Sequence, residues 1–213
     1  MCLCVETIRI ADGCWPEAEI LHLHQERVER TCRELYGIAA VPELAAILRG
    51  YPVPGDLHEG VAKCRVVYGA KGVEAVEYGR YTPPRIGSLL AAEVESFDYG
   101  YKYADRRELT VWHERALAKG YGDALLLRDG RVTDTTFCNV AFRVAGGSRE
   151  LWHTPASPLL HGTMREWLIK RGMIVPREIR LENLHEGHYS HIALFNAMND
   201  FGTLLLPSNR IDY

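Results

Sequence analysis

The 213-residue sequence has no pair of cysteines at the C-x-x-C spacing that zinc sites and redox motifs use. Its six cysteines are scattered over positions 2, 4, 14, 32, 64 and 138. Cys2 and Cys4 are too close together to form a ligand set and have no second pair to complete one. We therefore expect reduced thiols in a cytoplasmic protein and no bound metal.

Long hydrophobic runs and an excess of basic charge are also missing. No segment approaches the roughly 18 apolar residues of a membrane-spanning helix. The N-terminus reaches Glu6 without a basic stretch, so we expect no signal peptide. The formal net charge is −3, which argues against binding to a nucleic-acid phosphate backbone. Neither a membrane nor a nucleic acid is therefore an expected partner.

The residues that are present predict a folded chain with both helices and strands. Hydrophobic residues make up 47% and charged residues 25%, as in ordinary globular proteins. A chain of this length fits one domain or two small halves around a cleft. Residues 3–10 alternate as a strand does, and residues 21–36 show helical spacing, with Arg27 away from the apolar stripe. A second helix is predicted over residues 43–48.

Short strands joined by turns, with helices at intervals, continue to the end of the chain. Turns are predicted at residues 11–13 and 129–130, and helices over about 105–119 and from about 163 to 171. This order favours an α+β fold with a mixed sheet or pseudo-barrel over a doubly wound parallel sheet. A domain boundary is predicted near residues 95–100.

Lys102 is the first candidate for chemistry. It lies among Tyr99, Tyr101 and Tyr103, after a predicted strand and just before a predicted helix. A lysine that forms a Schiff base must be partly desolvated, so that its neutral amine is accessible near pH 7. The alternative is a surface lysine on an edge strand.

Asp134 is the second candidate, in a polar segment between two apolar runs. Pyridoxal 5′-phosphate (PLP) chemistry needs a carboxylate against the pyridine nitrogen, because a protonated ring withdraws electrons from the reacting carbon. The alternative is a turn residue that joins two strands.

Three further features could bind an anion. Gly162–Arg165 opens a helix, where free backbone N–H groups and the helix dipole favour a phosphate. Asn196–Met198 follows a strand and could form a second backbone nest. Arg27 is a candidate cation, although an arginine at such a position is more often a solvated helix residue.

Taken in order, these features resemble the class IV (fold-type IV) PLP-dependent aminotransferases. The matching positions are Lys102, Asp134-x4-Asn139, Thr154-Pro155, the G-x-x-R helix start at Gly162, Asn196-Ala197 and the upstream H-x-x-R element that ends at Arg27. The resemblance runs from about Glu6 to the C-terminus. It implies the two-domain fold of D-amino-acid aminotransferase, with a small α+β domain over residues 1–96 and a larger PLP-binding domain over 97–213. It also implies a homodimer and an active site between the domains.

The resemblance also implies a role for each matching residue. Lys102 is similar to the lysine that holds PLP as a Schiff base and moves protons at Cα. Asp134 stands where relatives usually have glutamate, so its reach is one methylene shorter. The phosphate would be bound by Arg27 and by the backbone N–H groups of Thr163, Met164 and Ala197, while Asn139 resembles a structural asparagine near the cofactor.

The sequence departs from the family pattern in two ways. It begins at the predicted strand over residues 4–10, without roughly twenty residues that relatives carry before it and that shape the substrate side. Arg107 stands where branched-chain enzymes have a cofactor-contacting tyrosine, and the lyases of the family also lack that tyrosine.

Among the family's activities, 4-amino-4-deoxychorismate lyase fits the motifs best. Gly162-x-Met164-Arg165 and Asn196-Ala197 are closer to the lyase versions of these segments than to the branched-chain ones. Such a lyase eliminates pyruvate and leaves 4-aminobenzoate, a reaction of folate biosynthesis. The first alternative is an aminotransferase for a small amino acid, and the second is a non-catalytic PLP-binding protein. Candidates for the substrate carboxylate are Arg80, Arg85, Arg106 and Arg107.

Overall fold

The computed structural model describes residues 2–95, 99–146 and 150–213. The chain divides into two compact units. The first contains Met1–Pro83 with Tyr101–Asp105, and the second contains Pro84–Gly100 with Arg106–Tyr213. The predicted boundary between residues 96 and 97 lies outside the described residues and stays a prediction.

The first unit is a three-stranded antiparallel sheet with two helices. Its elements are β1 (Cys4–Ala11), α1 (Ala18–Glu34), α2 (Leu44–Gly50), a 3-10 turn (Gly55–Leu57), β2 (Val61–Gly69) and β3 (Gly72–Arg80). The strand order is β1-β2-β3. The predicted turn after β1 is present, because Asp12 and Gly13 have positive φ values of 49° and 74°.

The core of the first unit lies between the sheet and α1. Ile8 and Ile10 of β1 belong to one buried cluster with Val28 and Cys32 of α1. This confirms the predicted apolar stripe of the helix. The expectation for Arg27 is wrong, because its side chain is only 6% exposed. A carboxylate on β1 makes that burial possible.

Residues 101–105 lie beside β1 through backbone hydrogen bonds. The Val5 N–H donates to the Lys102 carbonyl at 2.9 Å, and the Ala104 N–H donates to the Leu3 carbonyl at 2.8 Å. Cys4 and Tyr103 form an antiparallel bridge. These bonds place Lys102 next to the strand that carries Glu6.

Over its described residues, the second unit contains two sheets and three helices. Its elements are β4 (Leu89–Glu93), α3 (Arg107–Ala118), β5 (Asp123–Arg128), β6 (Arg131–Thr135), β7 (Asn139–Val144), β8 (Trp152–Pro155), α4 (Thr163–Lys170), β9 (Val175–Arg177), α5 (Leu181–His185), β10 (Tyr189–Asn196), β11 (Asn199–Pro207), a 3-10 turn (Ser208–Arg210) and β12 (Ile211–Asp212). One sheet has the order β12-β4-β5-β6 and the other β11-β10-β7-β8-β9. Both mix parallel and antiparallel pairs.

This mixture confirms the predicted α+β fold class and excludes a doubly wound parallel sheet. The predicted turn between β5 and β6 is present, because Asp129 and Gly130 both have positive φ values. The predicted helices correspond to α3 and α4, and each is followed by a glycine with positive φ, Gly120 and Gly172. Over the described ranges, none of the helices has the length and apolar character needed to cross a membrane.

Candidate active site

Three buried polar side chains meet in the first unit, on the facing surfaces of β1 and α1. The Glu6 carboxylate accepts a hydrogen bond from Arg27 Nε at 2.9 Å and another from Arg27 Nη2 at 2.5 Å. It also contacts His24 Nδ1 at 2.6 Å. Glu6 and His24 are fully buried. Arg27 is therefore not a solvated helix residue, which excludes that alternative.

Charge pairing sets the protonation of this group. Burial alone would raise the pKa of Glu6, but the Arg27 charge and the hydrogen bonds from His24 and Arg27 lower it to about 2. Burial lowers the pKa of His24, and the charges of Arg27 and Lys102 lower it further against the opposing effect of Glu6. At neutral pH the group is therefore a Glu6–Arg27 ion pair with a neutral imidazole.

Lys102 is half-buried and belongs to the same unit. Its backbone is held by β1, and its charge is near enough to His24 to lower the pKa of that imidazole. The first unit thus brings together two predicted cofactor residues, Arg27 and Lys102.

Asp134 lies in β6 of the second unit and is 4% exposed. Its Oδ1 accepts a hydrogen bond from Asn139 Nδ2 at 2.7 Å, and its Oδ2 accepts one from the Leu160 N–H at 2.9 Å. Asn139 Nδ2 also donates to the Leu160 carbonyl at 2.9 Å. Asp134 is thus a strand residue that anchors the segment before α4, and Asn139 ties the two together.

The carboxylate of Asp134 has a raised pKa. Burial raises the pKa to about 6, and the neutral amide donors together with the Arg165 charge only partly counter that effect. Arg165 is itself buried and donates to the Pro155 carbonyl at 2.8 Å and to Glu166 Oε1 at 2.7 Å. Within the described part of the chain, the hydrogen bonds to Asp134 come from neutral groups.

The beginning of α4 is packed against Asn139. A Cβ atom on Gly162 would lie 1.9 Å from Asn139 Oδ1, so a side chain here would have to displace the Asn139 amide from its hydrogen bonds to Asp134 and Leu160. The φ of Gly162 is −73°, and the requirement is therefore for space and not for an unusual backbone conformation. Thr163 and Met164 follow in the first turn of α4, and both are buried.

Ala197 lies in the tight connection between β10 and β11. Asn196 Oδ1 accepts hydrogen bonds from the N–H groups of Met198 at 2.8 Å and Asn199 at 3.0 Å, which fixes this turn. Asn196 Nδ2 donates to the Phe137 carbonyl at 3.1 Å. The turn is therefore joined to the segment that follows Asp134.

The four candidate arginines differ in their surroundings. Arg80, Arg85 and Arg107 are exposed, and the Arg80 guanidinium donates to two backbone carbonyls of its own unit. Arg106 is half-buried; it donates to the Thr136 carbonyl, and its guanidinium lies 4.7 Å from the centre of the Phe137 ring. Arg106 is thus bound to the segment that follows Asp134.

Sequence reasoning missed two residues of the first unit, Glu6 and His24. The signal for Glu6 was its position in β1, where it alternates in phase with the buried residues Cys4, Ile8 and Ile10. A single carboxylate on the apolar face of a strand requires a buried partner. His24 was visible as the first residue of the H-x-x-R element.

Residues 3–201 match the model of the amino-transferase class IV family. The chain belongs to this family. The match confirms the predicted family, and with it the predictions of a PLP-dependent enzyme and of an amine as its small-molecule substrate. The roles of individual residues stay predictions.

Three proteins are similar to this chain. An uncharacterised protein from Haemophilus influenzae is 30% identical over 195 residues, which cover 91% of this chain and 96% of that protein. A proposed 4-amino-4-deoxychorismate lyase from Haemophilus somnus is 28% identical, with a TM-score of 0.80 and coverage of 94% of this chain and 98% of that one. A hypothetical aminotransferase from Mycobacterium tuberculosis, in its PLP-bound form, is 18% identical, with a TM-score of 0.69 and coverage of 93% and 78%.

Proposed function

We propose that this protein is a PLP-dependent lyase that converts 4-amino-4-deoxychorismate to 4-aminobenzoate and pyruvate. The observation that carries the cofactor site is the buried Asp134 carboxylate, whose charge is poorly compensated by the described residues. The choice of lyase within the family is supported by the Gly162-x-Met164-Arg165 and Asn196-Ala197 motifs. The similarity to the proposed Haemophilus somnus lyase points the same way.

The environment of Asp134 fits a protonated pyridine nitrogen. Its carboxylate accepts hydrogen bonds from the Asn139 amide and the Leu160 N–H, and a backbone hydrogen bond from Leu159 also lowers its pKa. An ionised carboxylate has about four acceptor sites, so it can accept a further donor. A pyridinium N–H would supply the missing positive charge and favour the ionised carboxylate. Asp134 would then hold the proton on the ring nitrogen, where PLP acts as an electron sink for the carbanion at the reacting carbon.

The remaining roles follow the family pattern. Lys102 would form the covalent link to the cofactor aldehyde and take the proton from the substrate carbon that bears the amine. Arg27 and the backbone N–H groups of Thr163, Met164 and Ala197 would bind the phosphate. Loss of that proton would break the bond between the enolpyruvyl oxygen and the neighbouring ring carbon. The ring would become aromatic, and the released enolpyruvate would take up a proton to become pyruvate.

Arg106 is the arginine that we propose for a substrate carboxylate. It is held by Thr136 and Phe137, two and three residues after Asp134, whereas Arg107 is exposed on α3. Arg106→Gln should therefore raise KM at least about 10-fold, the usual scale for a lost charge-assisted hydrogen bond, and Arg107→Gln should change KM less than about 2-fold. Equal KM values for the two variants would remove Arg106 from the substrate site.

The decisive experiment is an assay of the purified protein with PLP and 4-amino-4-deoxychorismate. We expect equimolar pyruvate and 4-aminobenzoate, and neither product from Lys102→Ala. A panel of amino acids and 2-oxo acids tests the alternative. Amino-group exchange without pyruvate elimination would identify an aminotransferase, and PLP binding without either reaction would identify a non-catalytic protein.

Following the resemblance to the family, we also propose a role in folate biosynthesis, a cytoplasmic location and a homodimeric assembly. Sedimentation should then give twice the 24.1-kDa mass of the chain. A monomer that retains full lyase activity would contradict the homodimer.

A further inference from the structure

Glu6 binds the Arg27 guanidinium along its side edge. A guanidinium is planar, and Nε and Nη2 form its side edge, whereas Nη1 and the second hydrogen of Nη2 form its end edge. Both oxygens of Glu6 bind the side edge, with Nε to Oε1 at 2.9 Å and Nη2 to Oε2 at 2.5 Å. This bidentate contact fixes the plane of the guanidinium and the direction of its end edge.

His24 fixes the carboxylate in turn. Its Nδ1 lies 2.6 Å from Glu6 Oε2, and an ionised carboxylate can only accept, so Nδ1 carries the hydrogen. His24 precedes Arg27 by three residues on α1, and the two side chains therefore lie on one face of the helix. Glu6 is thus bound by both His24 and Arg27.

Stability alone is a poor explanation for this arrangement. A buried ion pair is often no more stabilising than apolar residues of the same volume, because both charges lose their hydration. Here the pair interrupts the apolar face of β1 between Cys4 and Ile8. Such a pair fits a requirement for orientation better than a requirement for stability.

The same short stretch of β1 also holds Lys102. Val5, the neighbour of Glu6, donates its N–H to the Lys102 carbonyl at 2.9 Å. One dipeptide of β1 therefore contacts two of the residues for which a cofactor role is proposed, Arg27 through the Glu6 side chain and Lys102 through the Val5 backbone.

We propose that Glu6 and His24 are positioning residues that set the plane of the Arg27 guanidinium for the cofactor phosphate. The inference rests on the proposed phosphate role of Arg27. It has a distinctive consequence, because Glu6 carries a negative charge next to a group that binds an anion. If Glu6 acted only through its charge, its neutralisation would tighten phosphate binding. If it positions Arg27, its neutralisation weakens phosphate binding.

The test compares the dissociation constants of PLP and of pyridoxal, which lacks the phosphate. The full-length protein is used, with Lys102 intact. Glu6→Gln should weaken PLP binding on the order of 10-fold and change pyridoxal binding less than about 2-fold. Unchanged or tighter PLP binding would overturn the proposal. Equal weakening for the two ligands would also overturn it, because the effect would not concern the phosphate.

The matched control is Glu77→Gln in the same unit. Glu77 accepts from Arg65 at 2.8 Å, but these side chains are 51% and 38% exposed. We expect no change in the PLP-to-pyridoxal ratio for this variant.

Two His24 variants keep the proposal testable if Glu6→Gln does not fold. His24→Asn retains an N–H donor near the place of Nδ1, whereas His24→Phe removes the donor. We expect the PLP-to-pyridoxal ratio to change in His24→Phe and to stay near that of the wild-type protein in His24→Asn. The same ratio in both variants would count against positioning.

Arg27→Ala separates this inference from the proposed function. If Arg27→Ala leaves the PLP-to-pyridoxal ratio unchanged, Arg27 does not bind the phosphate and the proposed role itself fails. If Arg27→Ala changes the ratio and Glu6→Gln does not, only the positioning role fails. In the Arg27→Ala background, Glu6→Gln should have no further effect on the ratio.

Discussion

Glu6 and Asp134 are both buried carboxylates, but their protonation behaviour is opposite. Glu6 in the first unit has a pKa lowered to about 2, and Asp134 in the second unit has a pKa raised to about 6. Both lose hydration, so burial does not distinguish them. The difference is that Glu6 binds the Arg27 cation directly, whereas Asp134 receives neutral amide hydrogen bonds and only the charge effect of Arg165.

Glu6 thus has its counter-charge within the chain, whereas we propose that a bound ligand supplies the counter-charge of Asp134. The Glu6–Arg27 pair is formed within the chain and is available to orient other groups. Asp134 carries a charge that a bound cation would stabilise, which is the property expected of a carboxylate that pairs with a pyridinium.

The largest expected effect is on stability, from breaking the pair in the first unit. Glu6→Gln leaves the buried Arg27 without its carboxylate, and the loss of one partner of a buried pair costs roughly 3–5 kcal/mol. The cofactor-free variant should therefore melt roughly 6–20 °C below the wild-type protein, at 2–4 °C per kcal/mol for a chain of this size. Glu77→Gln, which breaks an exposed pair, should cost less than about 1 kcal/mol. Equal melting temperatures for the two variants would contradict the expected difference between the buried and the exposed ion pair.

The pH dependence of stability should have opposite signs at the two sites. The folded-state pKa of Asp134, about 6, lies above its ordinary value of 3.8, so the folded state binds more protons between these values. The contribution of Asp134 to stability therefore falls by about 3 kcal/mol in total as the pH rises from well below 3.8 to well above 6. Glu6 stabilises the protein above about pH 4.5, and this contribution is lost as the pH falls toward 2.

Urea unfolding of the cofactor-free protein between pH 4 and pH 7 measures this dependence. The free energy of unfolding of the wild-type protein minus that of Asp134→Asn should decrease across the window, because the amide does not titrate. A difference that stays constant would mean that the pKa of Asp134 is not raised in the folded protein.

The smallest expected effect is a loss of turnover when the Asp134 carboxylate is replaced by an amide. Asp134→Asn should still bind PLP, but an amide cannot hold the pyridinium proton. The loss of a charged hydrogen bond costs about 1.5–3 kcal/mol, which lowers kcat by about one to two orders of magnitude if the bond acts in the transition state. Steady-state kinetics at saturating PLP check this. Wild-type turnover in the variant would leave Asp134 with only a structural role.

Local patterns in the sequence were sufficient for the family, the cofactor and most of the secondary structure. Helical spacing predicted α1, and glycines with the required backbone freedom marked the ends of α3 and α4. The G-x-x-R element also marked a real constraint, because Gly162 has no room for a side chain beside Asn139. These features could be predicted because each depends on residues close together in the chain or on motifs that the family shares.

The tertiary structure decided which partner each charged residue has. Arg27 was expected away from the apolar stripe of α1, yet it is buried, because Glu6, 21 residues earlier, supplies a carboxylate on the facing strand. From the sequence, Asp134 fitted a turn equally well. The structure places it in β6, where the N–H of Leu160, 26 residues later, binds its buried carboxylate. Hydration loss and charge pairing depend on distances in space, so the opposite pKa shifts of Glu6 and Asp134 follow from the fold and not from the order of residues.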